Sequence, residues 1–195
     1  MSSGKIETRQ AILEAALQLF TQGDPSAVRM VDIAKIAGVT RQAVYLHFGS
    51  RTGLLVSLVQ YVDEKEGLAA LAQPVWDAAT GVEALDRFVT LQAEYNPRIY
   101  STAKIGISGR YGDDAVAAAW EDRMAGRREA CRGLILWLER DGVLAPFDSL
   151  EEAADLLWTL TSIQVWEQLV IDQGWTAEQY DQYLRTVMRN VFVAG

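Results

Sequence analysis

The chain holds one cysteine, one histidine and four prolines in 195 residues. With Cys131 alone no internal disulfide can form, which suits a reducing compartment. A single histidine leaves a zinc site of the common kind without its ligands. It also stands far from the cysteine in sequence, so neither belongs to a plausible nucleophilic triad. There is no GxGxxG, no phosphate-binding glycine loop and no cluster of metal-ligating residues. Long apolar runs are missing as well: none approaches the roughly 18 residues of a membrane span, and the opening MSSGKIETRQ has no apolar signal core. Repeats, low-complexity tracts and trustworthy alternating strand patterns are absent. These gaps predict a soluble, cytoplasmic, all-α protein that is not an enzyme and needs no cofactor or metal.

Half of the residues are hydrophobic, enough for a sizeable core, in one large domain or two small ones. The formal net charge is −8 and the isoelectric point is near 4.7, which taken alone argues against nucleic acid. The distribution reverses that argument locally. Through Gln60 the charge is +2, and the remainder carries −10. Phosphate attraction depends on the field of the face presented, screened within about 8 Å at physiological salt. An acidic body disfavours non-specific adhesion to DNA and leaves discrimination to whichever element reads bases.

The stretch Met30 to Arg51, MVDIAKIAGVTRQAVYLHFGSR, organises the chain. Ile33, Ala34 and Ala37 fall on one face of a first short helix, and Val44, Tyr45 and Phe48 repeat that spacing in a second. Ala34 is small enough for a close crossing. Gly38 stands where the chain must turn sharply, because a residue without Cβ takes positive φ at little cost. Thr40 suits the N-cap of the second helix. Two helices joined by a short glycine-containing turn form a helix-turn-helix unit, although many helical hairpins also place Ala and Gly at a turn. In the DNA-reading version, the N-terminal turn of the second helix (Thr40, Arg41, Gln42, Ala43) faces base edges in the major groove.

The combination Asp32-Ile33-Ala34, Ala37-Gly38-Val39 and Val44-Tyr45-x-His47-Phe48 resembles the N-terminal signature of the tetracycline-repressor (TetR) family of bacterial regulators. Upstream Ile12-x-x-Ala15-Ala16-x-x-Leu19-Phe20-x-x-Gly23 and downstream Arg51 with Leu54-Leu55 extend the likeness over roughly the first quarter of the chain. Two positions depart from the pattern: Arg29 stands where the family usually caps the first motif helix with Thr or Ser, and Gly49 where it often has Lys. The resemblance implies a helix-turn-helix DNA-binding domain at 1–49 and a helical effector-binding and dimerisation domain at 50–195. It also implies a homodimer held by a four-helix contact at the C-terminal end.

Along the chain, periodicity predicts about nine helices. Helix one spans about Ile6 to Gln22, closed by Gly23 and Asp24-Pro25. A fourth helix runs from about Ser50 to Glu66, so closely attached to the reading helix that it would transmit a tilt. The sequence loosens between Gly67 and Gly81. A fifth helix covers about 82–95 and ends at Asn96-Pro97, a shorter one covers 98–108, and a long seventh covers about 113–140. The eighth begins at the capping box Ser149-x-x-Glu152 and reaches about Ile171, and the ninth begins at Thr176-x-x-Gln179.

Three groups of residues are candidates for function. Arg41 and Gln42 suit base edges, since Arg bonds guanine and Gln adenine bidentately, at roughly 1–3 kcal/mol of discrimination each. Thr40 offers a hydroxyl to phosphate, and Ala43 completes the turn. Arg29 and Arg51 would anchor the backbone on either side, and the resemblance implies phosphate contacts for Tyr45 and His47. Tyr45 could equally spend its ring on the core and His47 cap the helix end. Phe88, Tyr95, Tyr100, Trp120, Met124 and Trp137 could line an effector cavity between the middle helices, although aromatics at helical spacing serve equally as core. Ala154, Trp158, Thr161, Val165 and Leu169, with Leu184, Val187, Met188 and Val191, form apolar faces suited to a dimer interface. The reading is a ligand-responsive transcriptional regulator, a repressor in the commoner case. It would bind a near-palindromic double-stranded DNA operator as a homodimer and be released by a small-molecule effector. The alternative is a helical interaction or small-molecule-binding protein that kept the fold without specific DNA binding.

Overall fold

The computed structural model describes residues 3–22 and 27–194, so Gly23, Asp24 and Pro25, the expected stop of the first helix, lie outside the described residues. The protein is all-α. Its helices are α1 (Ser3–Gln22), α2 (Met30–Ile36), α3 (Arg41–Phe48), α4 (Arg51–Lys65), α5 (Leu68–Trp76), α6 (Gly81–Gly109), α7 (Asp114–Arg140), α8 (Leu150–Leu160), α9 (Ile163–Trp166) and α10 (Ala177–Phe192). A π-helical turn, Glu167–Asp172, follows α9 directly. An isolated antiparallel bridge joins Leu144 to Val193.

Three local expectations are corrected. Asn96-Pro97 does not end a helix: α6 runs through Pro97 as one element. Pro97 is exposed while Ala93, Tyr95 and Asn96 are buried, so the missing N–H falls on the solvent side and packing of the inner face carries the helix past it. The segment after Gly67 is α5, with Gly67 at φ +75° opening it and Pro74 in its last turn. The expected eighth helix is interrupted at Thr161–Ser162. There Ser162 accepts a bond from Val165 N at 3.3 Å and starts a new segment.

The chain forms two compact units: residues 1–65 with 101–123, and residues 66–100 with 124–195. This division does not fall at residues 49 and 50. Leu54, Leu55 and Leu58 of α4 share one buried cluster with Ile12, Ala16 and Phe20 of α1, Ile33 of α2 and Val44 of α3. Val116 and Ala119 of α7 belong to the same cluster. The helices α6 and α7 each contribute residues to both units.

In the second unit, buried side chains include Leu85, Phe88 and Val89 of α6, Leu134, Ile135 and Leu138 of α7, Leu157 of α8, and Tyr180, Met188 and Phe192 of α10. Gly81 starts α6 hard against α7: a Cβ there would lie 3.0 Å from the Leu138 nitrogen. Its own N–H donates to Asp141 at 2.7 Å. Arg127 of α7 donates to the Trp158 carbonyl and to Thr161 Oγ1, both at 2.7 Å. Arg189 of α10 pairs with Asp86 of α6, and the Thr90 hydroxyl donates to Asp181 at 2.7 Å. The capping box Thr176–Gln179 opens α10 with both reciprocal bonds in place.

Candidate nucleic-acid interface

The first unit presents α3 on a three-helix scaffold. α1 packs against α2 and α4, and α3 packs against both α2 and α4. The turn between α2 and α3 has Gly38 at φ +68°. Thr40 then caps α3, its hydroxyl accepting the Ala43 N–H at 3.1 Å. Gly49, at φ +72°, ends the helix after eight residues. Gly53 sets how closely α4 can approach: a Cβ there would stand 2.2 Å from the Phe48 carbonyl oxygen.

Val44 and Phe48 are the buried side of α3. Thr40, Arg41, Gln42, Tyr45 and Leu46 are exposed, and Ala43 and His47 half-buried. Arg41 lies over the Tyr45 ring, 5.4 Å from its centroid, and its Nη2 donates to Tyr45 Oη at 3.4 Å. The pair is exposed and therefore weak, so the guanidinium can leave the ring for a better acceptor. Tyr45 keeps its ring on the surface rather than in the core. His47 tilts against Phe48 at 6.1 Å. Arg29 precedes α2 without capping it and pairs with Asp32 at 3.1 Å, with most of its side chain in solvent.

Arg51 departs from the expectation of a phosphate anchor. Its Nη1 donates to Asp113 at 2.6 Å, its Nη2 to the Val28 carbonyl at 3.4 Å, and its guanidinium lies over the Phe20 ring. Only a quarter of the side chain is exposed. Arg51 therefore ties α4 to the α6–α7 corner. A recess of about 450 Å³ beside this tie is lined by Val28, Arg29, Val31, Arg41, Tyr45 and Asp113. Asp113 was invisible as a partner from sequence because 62 positions separate it from Arg51.

The other two groups of candidates scatter. Phe88 and Tyr95 are core residues, 3% and 2% exposed. Trp120 belongs to the first unit, where its ring packs under Gly106. Trp137 lies beside Gly81, whereas Tyr100 stands nineteen positions further along α6, about 28 Å away at 1.5 Å per residue. Within the second unit, Trp137 and Tyr100 thus lie near opposite ends of that unit's part of α6. Tyr100 instead donates to Glu167 in the π-helical turn and tilts against Trp166 at 5.3 Å. That bond is the main cause pushing the Tyr100 hydroxyl up to about 12. Sequence reasoning passed over two buried polar groups of the second unit, Asn96 Nδ2 and Tyr180 Oη, which have no hydrogen-bond partner. Burial pushes the Tyr180 hydroxyl up, against the opposing charge of Arg127.

Of the dimer candidates, Ala154, Thr161, Leu184 and Met188 are buried within the protomer and cannot form a covering face. Their burial reflects the amphipathic stripe meeting its own core first. Trp158, Val165, Leu169 and Val191 are half-buried, and Val187 is exposed. Leu156 and Tyr183, which were not anticipated, are exposed beside them in sequence on α8 and α10.

A capped two-helix reading unit on a helical scaffold, with its outward turn in solvent, defines the helix-turn-helix class. Residues 12–58 match the family model described as bacterial regulatory proteins, tetR family. Over that stretch the chain is similar to the TetR family of bacterial regulatory proteins. It is 43% identical over 61 residues to the HTH-type transcriptional regulator AcrR of Shigella flexneri, covering 31% of this chain and 28% of that one. It is 31% identical over 100 residues to the nucleoid occlusion factor SlmA of Marinobacter nauticus, covering 50% and 51%. The chain thus spans about half or less of these relatives' length. Its fold matches that of NalD, the secondary repressor of the MexAB-OprM multidrug efflux pump in Pseudomonas aeruginosa. There the TM-score is 0.73 at 22% identity, over 98% of both chains. A transcriptional regulator from Saccharomonospora viridis, solved in complex with choline, matches at TM-score 0.71 and 20% identity, over 97% and 99%.

Proposed function

We propose that the protein is a ligand-responsive, DNA-binding transcriptional repressor that works as a homodimer in the cytoplasm. Residues 1–49 bind DNA, and residues 50–195 supply the effector site and the subunit contact. The observation that carries this reading is the outward turn of α3. Thr40 spends its hydroxyl on the cap, which fixes Arg41 and Gln42 in solvent at the helix N-terminus. Such a helix places base-reading side chains in the major groove. Each subunit reads one half of a near-palindromic operator, with half-sites about one helical turn or a multiple apart. Arg29, Tyr45 and His47 border that turn and suit phosphate, which positions without specifying.

A second copy covers α8 and α10 through Leu156, Tyr183 and Val187, with Trp158, Val165, Leu169 and Val191 at the margins. The effector binds in the second unit, where Asn96 and Tyr180 offer buried polar atoms for a ligand to satisfy. It favours the arrangement that does not bind DNA and shifts the population by no more than its differential affinity.

The test is selection of duplexes from a random pool by the full-length protein. The reading expects a near-palindromic consensus, with Arg41→Ala and Gln42→Ala losing that specificity while remaining dimeric. Recovery of no consensus by the wild type would refute it.

A further inference from the structure

The face of α3 opposite its core is not wholly polar. Val44 and Phe48 point inward, so at 100° per residue the direction farthest from them falls on Leu46, with Gln42 one turn earlier on the same stripe. Leu46 is 79% exposed, more than Val31, Ile36 or Tyr45 nearby. Isolated leucines on a surface are common, but this one lies on the outward side of the eight-residue α3, opposite its buried Val44 and Phe48. Arg41 and Tyr45, bound to each other, lie to one side of it. Helical side chains lean toward the N-terminus, so the Leu46 isobutyl group lies over the turn of Gln42 and Ala43. The partner of that spot in a major groove is a base edge, and the apolar feature such an edge presents is the thymine C5-methyl group.

We propose that Leu46 is a specificity-determining residue that reads a thymine methyl next to the base contacted by Gln42. The proposal rests on the DNA-binding reading above. It assigns recognition of an A·T pair in each half-site to van der Waals contact and desolvation rather than hydrogen bonding. Leu46 thereby acquires a binding role without any role in the core of the head.

The experiment uses the duplex that the full-length protein selects. Each thymine is replaced singly by 2′-deoxyuridine, which removes the methyl and leaves the pairing edge intact. An exchange in one half-site should weaken wild-type binding roughly fourfold, the worth of one buried methyl group, and the matching exchange in both half-sites roughly fifteenfold. Leu46→Ala should bind the parent duplex more weakly and show no further loss on that exchange. Leu46→Gln should redistribute the preferred base at that position alone. Sensitivity of Leu46→Ala equal to that of wild type would overturn the assignment, and so would a wild type indifferent to every exchange. The uridine series on wild type needs no variant, so a folding defect could not mask the answer. Failure of the wild type to select any sequence would overturn the DNA-binding reading itself, a result distinct from selection without methyl sensitivity.

Discussion

Asp113 does two jobs with two oxygens, and they can be separated. Its Oδ1 accepts the Ala115 and Val116 N–H groups at 3.0 and 3.3 Å, capping α7. Its Oδ2 takes Arg51 at 2.6 Å. Asp113→Ser keeps an acceptor for the cap, because serine is about as good there as aspartate, and removes the ion pair. The side chains are 25% and 15% exposed, so the pair lies between the surface case, near zero to 1 kcal/mol, and a buried pair broken on one side, about 3–5 kcal/mol. A hydrogen bond to a charged group supports about 1.5–3 kcal/mol, and about 2 kcal/mol is the expected loss. Asp113→Ala should lose about 1 kcal/mol more, the cap. Arg51→Met also surrenders the Phe20 ring and the Val28 carbonyl, so the pair itself is isolated by the cycle of Arg51→Met, Asp113→Ser and the double variant. Urea unfolding at fixed protein concentration, needed because any self-association adds to apparent stability, should give a coupling of at least 1 kcal/mol. A coupling below about 0.5 kcal/mol would show that the two side chains act independently and that this contact does not fasten α4 to the α6–α7 corner.

Thr40→Ala should cost about 1 kcal/mol of stability, and Thr40→Ser little, as thermal unfolding can show. Gly53→Ala forces a Cβ onto the Phe48 carbonyl and should destabilise the head by about 1–3 kcal/mol; an unchanged melting temperature would contradict the close approach of α3 and α4. Val187→Glu with Tyr183→Lys should yield monomers in sedimentation, and a persistent dimer would move the interface elsewhere. Burial holds the Cys131 thiol up to about 11 from its ordinary 9.0, against the opposing charge of Arg127. The stability from its neutral form is complete below the unfolded value and is lost as pH rises to about 11. Relative to Cys131→Ala, the wild type should therefore lose about 2–3 kcal/mol between pH 9 and 11. Parallel pH curves would reject this.

The motif was legible because its signals are local. Gly38 turns, Thr40 caps, and Val44 and Phe48 repeat one turn apart, so 22 consecutive residues contain most of the information. Leu46 could have been found by the same wheel, since it opposes Val44 and Phe48; attention to polar side chains concealed it. Arg51 misled because its partner comes from a corner 62 positions away. Pro97 misled because a local rule about a missing donor was outweighed by Tyr95 and Asn96 packing on the inner face. The buried Leu184 and Met188 show the limit of counting apolar faces: a stripe broad enough for two surfaces does not announce which half meets its own core.

The reading helix is only eight residues long. A segment that short does not hold its shape in water without help; Val44 and Phe48, seated among α1, α2 and α4, keep it wound. If the helix reads DNA as proposed, melting the little core would erase the recognition surface itself, and a loosening substitution at Ile12 or Leu54 should weaken selection of the duplex.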